Sequence, residues 1–405
     1  MRGVCLTLLV VMAAVCFAVQ TQAALMVAGA SASVLPYTLY VDTWADLGSG
    51  SLMGINNNNV VAGRGQPGQP TGQAFVWSET TGTVYLPTLA GTSTGIAYEI
   101  NDSGVVAGIS AALNPSYNRA WRYDTKNTLP DLSDDVAVDV GLKIAGSTSS
   151  RCLAINNSGA VVGFASISGT SQGFYWDGQS ASAQLIPPPP GADVAGWIKA
   201  DINDFGMCVG YNQFPGAGDC AVYWRPGDST ATNIDPYIEA AFGQSCTTHA
   251  RGVNNLGHIV GGYMPGISPI NCPYLYLNST TVVDLAQFMT WGNGGGVANA
   301  INDKGVVVGQ GQLSDGTYHA FVWIPQVPNG TTGTMIDLNS LGFTLPPGYY
   351  FYEALDVNNL GSIVGTIYNG SIFRPFALII PEPGTLASLA AGLLALLCYA
   401  WRKRR

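Results

Sequence analysis

An all-β fold, a seven-bladed β-propeller of four-stranded repeats closed by an N-terminal strand, is what this sequence predicts, and two observations predict it. One motif recurs seven times, and the strand that the last copy lacks stands spare before the first. The motif is Ile or Val, then Asn, with a Gly eight residues after the Ile or Val. It occurs at Ile55-Asn56 with Gly63, Ile100-Asn101 with Gly108, Ile155-Asn156 with Gly163 and Ile202-Asn203 with Gly210. It recurs at Val253-Asn254 with Gly261, Ile301-Asn302 with Gly309 and Val357-Asn358 with Gly365, at spacings of 45, 55, 47, 51, 48 and 56 residues. A four-stranded unit repeated every ~40–50 residues is the signature of a propeller blade.

Each unit reads as strands a to d. The motif ends strand a and turns into strand b. Six copies place a Gly four residues after the Ile or Val (Gly104, Gly159, Gly206, Gly257, Gly305, Gly361), and the first has Asn59 there. Gly and Asn are the residues that tolerate the left-handed conformation of a tight turn. β-Branched runs such as Val306-Val307-Val308 follow as strand b. Aromatic runs form strand c, as in Ala74-Phe75-Val76-Trp77 and His319-Ala320-Phe321-Val322-Trp323. Strand d often ends in Asp-Leu: Leu129-Pro130-Asp131-Leu132, Val282-Val283-Asp284-Leu285 and Met335-Ile336-Asp337-Leu338. After Leu378 no fourth run remains, whereas Tyr37-Thr38-Leu39-Tyr40-Val41 precedes the first unit. Pairing that segment into the seventh blade would zip the ring shut and leave no long edge bare. An open solenoid would need no such phase shift.

Composition agrees. Charged residues are 10% of the 405, Gly numbers 51, and a hydrophobic fraction of 47% suffices for a core. The net charge of −9 excludes a nucleic-acid partner, which would need a basic stripe.

The two ends read as targeting segments. Arg2 precedes the apolar run Val4 to Val19, and Thr21-Gln22-Ala23 offers a signal-peptidase exit with cleavage at Ala23 or Ala24. The predicted organisation is a signal peptide at 1–23, a linker at 24–36, the propeller at 37–379 and a tail at 380–405. In the tail, Pro381-Glu382-Pro383 precedes the uncharged run 385–401 and then Arg402, Lys403, Arg404 and Arg405. As a helix that run would reach about 26 Å, a little short of a ~30 Å bilayer core, with its four cations held cytoplasmic. Residues 24–380 keep 11 of 16 Lys and Arg and 24 of 25 Asp and Glu, a net charge near −13.

The order Pro-Glu-Pro, apolar run, basic cluster resembles the PEP-CTERM sorting signal. The resemblance implies an exosortase-type partner that cuts near Pro-Glu-Pro, export across the inner membrane with anchoring before processing, and then a cell-surface or matrix location. A plain C-terminal anchor would share the orientation and differ only in processing. Across 37–379, the His-Ala-Phe-Val-Trp run, the Ile-Asn-Asp-x-Gly-Val-Val-x-Gly runs and the Asp-Leu ends look like HAF-type extracellular repeats, whose function is itself poorly defined.

Little in the chain points to chemistry, and no catalytic, cofactor or metal residues are expected. His249, His258 and His319, the three histidines, lack zinc spacing. The Asn-Asp turns (Asn101-Asp102, Asn203-Asp204, Asn302-Asp303) suggest calcium, but each offers too few carboxylates, and turn capping explains them. For hydrolysis, Asp134, Asp135 and Asp139 in the connection before blade three, or Glu239, His249, Cys246 and Arg251 around blade five, could gather at a ring face. Glu99, Asp201 and Asp356 stand where other copies carry small residues (Gly54, Ala154, Gly252, Ala300) before the motif. Five cysteines lie between the ends, and the expected disulfide is Cys246–Cys272, with Cys220 as competitor. The expected function is a non-catalytic surface or matrix module that binds a glycan or protein in exopolysaccharide or biofilm. The alternatives are a carbohydrate-active hydrolase or lyase on the same ring, or a spacer with no ligand.

Overall fold

Asn in a tight turn, a β-branched run and an aromatic run repeat seven times, and each set forms one antiparallel sheet. The computed structural model describes residues 38–40, 51–65, 72–113, 116–193, 201–216, 218–243, 245–266 and 271–380. Blades one to six span 51–85, 94–139, 147–185, 201–233, 246–284 and 296–337, each a sheet in the order a-b-c-d. Blade seven takes strands a to c from 350–379, and its fourth strand is Thr38–Tyr40. Register pairs Thr38 with Ile379, Leu39 with Leu378 and Tyr40 with Ala377. The predicted closure is therefore present.

Both faces of each sheet pack on a neighbouring blade, so the core lies between blades. Strand c is accordingly apolar on both sides. In Gln73–Ser78, Ala74, Phe75, Val76 and Trp77 are all buried. Val308 and Val322 of blade six pack with Phe351, Ile367 and Phe376 of blade seven. Leu52, Phe75 and Trp77 of blade one pack with Val364 and Ile379 of blade seven, which joins first and last blades through core as well as hydrogen bonds. Each such side chain contributes about 1.5–3 kcal/mol on full burial.

The motif glycine in strand b has a steric cause that periodicity alone does not reveal. Strand a bulges just before the Ile or Val, for example between Cys152 and Ala154. The bulge pushes a carbonyl against strand b. A Cβ on Gly163 would lie 1.9 Å from the Arg151 oxygen, and Gly108, Gly261, Gly309 and Gly365 meet equivalent oxygens at 1.9–2.1 Å. Only a residue without Cβ fits. The turn glycines have the expected positive φ (Gly104 +74°, Gly361 +97°), and Asn59 substitutes at +55°.

Two expectations need correction. In blade two, strand d is Val136–Asp139, and Leu129 to Leu132 lie in the preceding loop, because Pro130 has no N–H for a ladder. The Asp-Leu reading holds in blades five and six, where it has a second cause. Asp284 caps the N–H of Ala286 and Asp337 that of Asn339, each opening a 3-10 turn, while Leu285 and Leu338 are fully buried. The expected Cys246–Cys272 bond is not formed, and both are free thiols. Cys246 lies on strand a (Cys246–Val253) and Cys272 on strand c (Cys272–Asn278), with strand b (Ile259–Pro265) between them. Two strand spacings are about 9–10 Å, beyond disulfide reach.

Among the described residues no helix is long and apolar enough to cross a membrane. The signal peptide with Ala23 and Ala24, the linker, the 385–401 run, Pro381, Glu382, Pro383 and Arg402 to Arg405 lie outside the described residues. The last described residue, Ile380, is held at the a–b turn end of the ring: its N–H donates to Ser362 Oγ at 2.8 Å, and its carbonyl accepts from Asn59 Nδ2 at 3.1 Å.

Candidate functional site

The seven motif asparagines converge on the ring axis, where all are buried. Each side chain does two jobs. Its Oδ1 accepts from its own turn, as Asn101 Oδ1 does from Ser103 N–H at 3.1 Å and Val105 N–H at 2.9 Å. Its Nδ2 donates to the backbone oxygen of the next blade's motif Asn, Asn56 to Asn101, Asn101 to Asn156 and so on, and Asn358 returns to Asn56 at 2.8 Å. The result is a closed circle of amides.

A second circle lies on the following residue. Backbone N–H groups donate to the next blade's side chain through Asn57, Asp102, Asn157, Asp204, Asn255, Asp303 and Asn359, and back to Asn57, at 2.7–2.9 Å. Asn and Asp alternate, so each carboxylate sits between two amides: Asn157 Nδ2 reaches Asp102 Oδ2 at 3.1 Å and Asp204 Oδ2 at 3.3 Å. Seven is odd, and the one like pair is Asn359 beside Asn57. No two carboxylates are neighbours.

Within the channel stand Glu99, Asp201 and Asp356. Each reaches across an interface to the strand-a N–H of the next blade: Glu99 to Ile155 at 3.0 Å, Asp201 to Val253 at 2.8 Å and Asp356 to Ile55 at 2.8 Å. The residue before each of those N–H groups is Ala154, Gly252 or Gly54, and a Cβ on Gly54 or Gly252 would lie 2.9 or 3.0 Å from the Cα of Glu99 or Ala300 on the following blade, so the small residues let the strand-a backbones approach. Burial raises all three pKa values. Glu99 is pushed well above the usual range, with Asp201 and Asp356 adding repulsion, Asp201 to about 7 and Asp356 to about 6. Arg251 lines the same channel, donating to Asn299 Oδ1 at 2.7 Å, and Asn299 donates to Glu353 at 2.9 Å. Burial lowers the Arg251 pKa. The cavity these residues line holds about 240 Å³.

The opposite end of the ring, with the d–a and b–c connections, carries an aromatic rim on blades six and seven. Tyr318, Tyr350, Tyr352, Tyr368 and Phe373 form a connected set, with Tyr368 stacked on Phe373 at 4.3 Å and Tyr352 edge-on to Phe373 at 5.1 Å. Phe373 is 44% exposed and Ile372 51%, so the rim meets solvent. None of these positions stands out in the sequence. Tyr350 and Tyr352 in strand a, Tyr368 closing strand b and Phe373 opening strand c become neighbours only through the register, which pairs Tyr350 with Tyr368 and Tyr368 with Phe373.

The other sequence candidates are held by separate partners, apart from Glu239 and Cys246, which meet. His249 pairs with Asp219 and His319 with Asp337, each at 2.8 Å, and burial lowers the His258 pKa. Asp139 pairs with Arg119, while Asp134 accepts from Thr128 Oγ1. Burial, and then the neighbouring Asp135, raises the Tyr123 pKa. Glu239 accepts from the Cys246 N–H at 3.1 Å, close to Asp235. The Asn-Asp turns cap and cross-link as described, and calcium is not needed to explain them.

Residues 380–405 match the model of the PEP-CTERM protein-sorting motif. The motif implies an exported, membrane-anchored precursor that an exosortase-type enzyme processes. No curated protein matches the chain, and the HAF-type resemblance has no counterpart among these matches. Similar solved structures include an oligogalacturonate lyase from Vibrio parahaemolyticus, 12% identical with a TM-score of 0.49, covering 86% of this chain and 97% of that one. A puromycin-hydrolyzing peptidase of Mycobacterium tuberculosis is 10% identical with a TM-score of 0.48, covering 76% of this chain and 47% of that one, so this chain spans about half its length. A lectin of Aleuria aurantia is 10% identical with a TM-score of 0.37, covering 72% and 94%. The architecture does not select among such activities; the chain is an all-β, seven-bladed propeller followed directly by a PEP-CTERM sorting motif.

Proposed function

We propose that the exported ring is a non-catalytic glycan-binding module of the cell surface or matrix, with the aromatic rim of blades six and seven as its binding face. The observation that carries this reading is the polarity of the ring. Ile380, the first residue of the sorting motif, leaves from the a–b turn end, and the exposed rim lies at the other end. A chain anchored by its tail then presents Tyr352, Tyr368 and Phe373 away from the membrane. Aromatic faces suit the C–H-rich faces of pyranose rings, and Tyr adds a hydroxyl at its edge. The channel supports the non-catalytic half. Glu99, Asp201 and Asp356 are each held by a backbone N–H of the neighbouring blade, and the two Asn and Asp circles satisfy one another.

The test is a screen of glycans and exopolysaccharides against the full chain in detergent, read for both binding and turnover. Saturable binding without product supports the proposal. Turnover that E99Q, D201N or D356N abolishes would replace it with the hydrolase or lyase reading.

A further inference from the structure

Between blades four and five the regular d–a connection is replaced by a helix, α1 (Asp235–Phe242), the single α-helix among the described residues. Asp235 and Glu239 are one turn apart on it and so share a face. Under that face lie Cys246, opening strand a of blade five, and Cys220, in strand c (Gly218–Trp224) of blade four. Cys220, Cys246 and Asp235 are 2%, 5% and 6% exposed. The ligand atoms of Asp235, Glu239 and Cys246 all lie within 4.8 Å of one another. Cys220 Sγ is 3.4 Å from Asp235 Oδ2, and Cys246 Sγ is 4.0 Å from Asp235 Oδ1.

We infer that Cys220, Asp235, Glu239 and Cys246 form a structural site for a zinc-class divalent cation that fastens blade four to blade five. Three donors, Asp235, Glu239 and Cys246, lie mutually close, and Cys220, outside that group but 3.4 Å from Asp235, would complete the two-sulfur, two-oxygen set that closes a tetrahedral zinc site. Zinc–sulfur bonds of ~2.3 Å and zinc–oxygen bonds of ~2.1 Å place adjacent S and O donors about 3.6 Å apart. The observed 3.4 and 4.0 Å fall on either side of that separation. The supporting bonds leave the donors available. Asp235 Oδ1 accepts from Thr248 Oγ1 at 2.7 Å, which fixes the carboxylate, and Glu239 Oε1 takes the Cys246 N–H, which leaves its Oε2 to bind. Thr248 Oγ1 in turn accepts from the Ala221 N–H of blade four at 2.8 Å, so the same hydroxyl ties both blades beneath the site. A cation also answers an electrostatic problem: a carboxylate buried beside two thiols has no counter-charge, and burial raises the pKa of Asp235, Cys220 and Cys246 alike. On binding, each thiol loses its proton to solvent and becomes a thiolate ligand, so uptake releases about two protons and weakens as pH falls.

Cobalt(II) titration of the full chain, reduced and in detergent, tests this. One equivalent should bind with thiolate-to-cobalt charge-transfer absorption, and zinc should displace it. C246S and C220S should each diminish or abolish that absorption, D235N should abolish stoichiometric uptake, and C272S should change neither. Measured against each chain's own midpoint in EDTA, zinc should raise the unfolding midpoint of the wild type and C272S but not of C246S, C220S or D235N. Absence of uptake by the reduced wild type would overturn the inference, as would uptake unchanged in C246S. So would a Cys220–Cys246 disulfide in the native exported chain, because oxidised sulfurs cannot be thiolate ligands.

Discussion

Asn358 Nδ2 donates to the backbone oxygen of Asn56 at 2.8 Å, across 302 residues of chain. The same bond occurs at every other blade interface, so ring closure shares with the other blade contacts one interaction repeated seven times. Closure adds one thing: Thr38–Tyr40 from the chain's start completes the sheet at its end.

The amide circle predicts asymmetric mutational costs. Asn156 donates to Asn203 O and accepts from Ala160 N–H and Ser158 Oγ while buried. N156A should cost about 2–4 kcal/mol by stranding those groups. N58A, at an exposed turn position, should cost under about 1 kcal/mol. Urea unfolding of the two variants compares them directly.

Alternation in the second circle predicts a charge-parity effect. N157D would place three carboxylates in a row, because Asn157 stands between Asp102 and Asp204. Lost amide bonds and repulsion, discounted for solvent, should cost about 1–2 kcal/mol at pH 7. N359D meets one carboxylate, Asp303, and should cost about half as much. The penalty of N157D should fade below pH ~4, where the new acid is protonated in folded and unfolded chains alike.

The channel carboxylates predict a stability that falls with rising pH. Burial sets Asp356 at about 6 and Asp201 at about 7, above unfolded values near 4. The folded chain therefore holds more protons than the unfolded chain in that window. Their contribution is fully present below pH ~4 and is lost as pH rises through 6 and 7. E99Q keeps an oxygen for the Ile155 N–H and removes a carboxyl group whose ionisation burial and the neighbouring Asp201 and Asp356 oppose. It should stabilise the chain at pH 8 by on the order of 1–3 kcal/mol and have little effect at pH 4. Thermal melts of both proteins at the two pH values give the comparison.

Bulge geometry predicts that G163A is among the most damaging single-methyl changes. Its Cβ would lie 1.9 Å from the Arg151 oxygen, so strands a and b must part. A loss of about 3 kcal/mol or more is expected. G169A, where no atom lies within 4 Å of the added methyl, is strained only by its φ of +81° and should cost about 1 kcal/mol. Chemical denaturation separates them.

The repeat made the architecture legible because Asn, Gly and the aromatic run are local signals with local causes. Ring closure was legible from a missing strand d. Blade two was misread at Leu129 to Leu132 since Asp-Leu there lacks the strand that precedes it in blades five and six. The cysteine pairing failed because Cys246 and Cys272 open strands a and c themselves rather than lying in the connections before them, so strand b stands between them. Glu99, Asp201 and Asp356 stood out as exceptions, yet the N–H each one meets belongs to another blade. The rim escaped for the same reason: Tyr352 and Phe373 are 21 positions apart in sequence and become neighbours only in the folded sheet.

The most direct test of the central claim is the affinity of the full chain for whichever polysaccharide it retains, measured for wild type, Y352A/F373A and E99Q. Removing two rim aromatics should weaken binding at least about tenfold, at ~1–3 kcal/mol per stacked ring, while E99Q should bind as wild type with no product formed by any of the three. Undiminished binding by the rim variant, or product formation that E99Q abolishes, would contradict it.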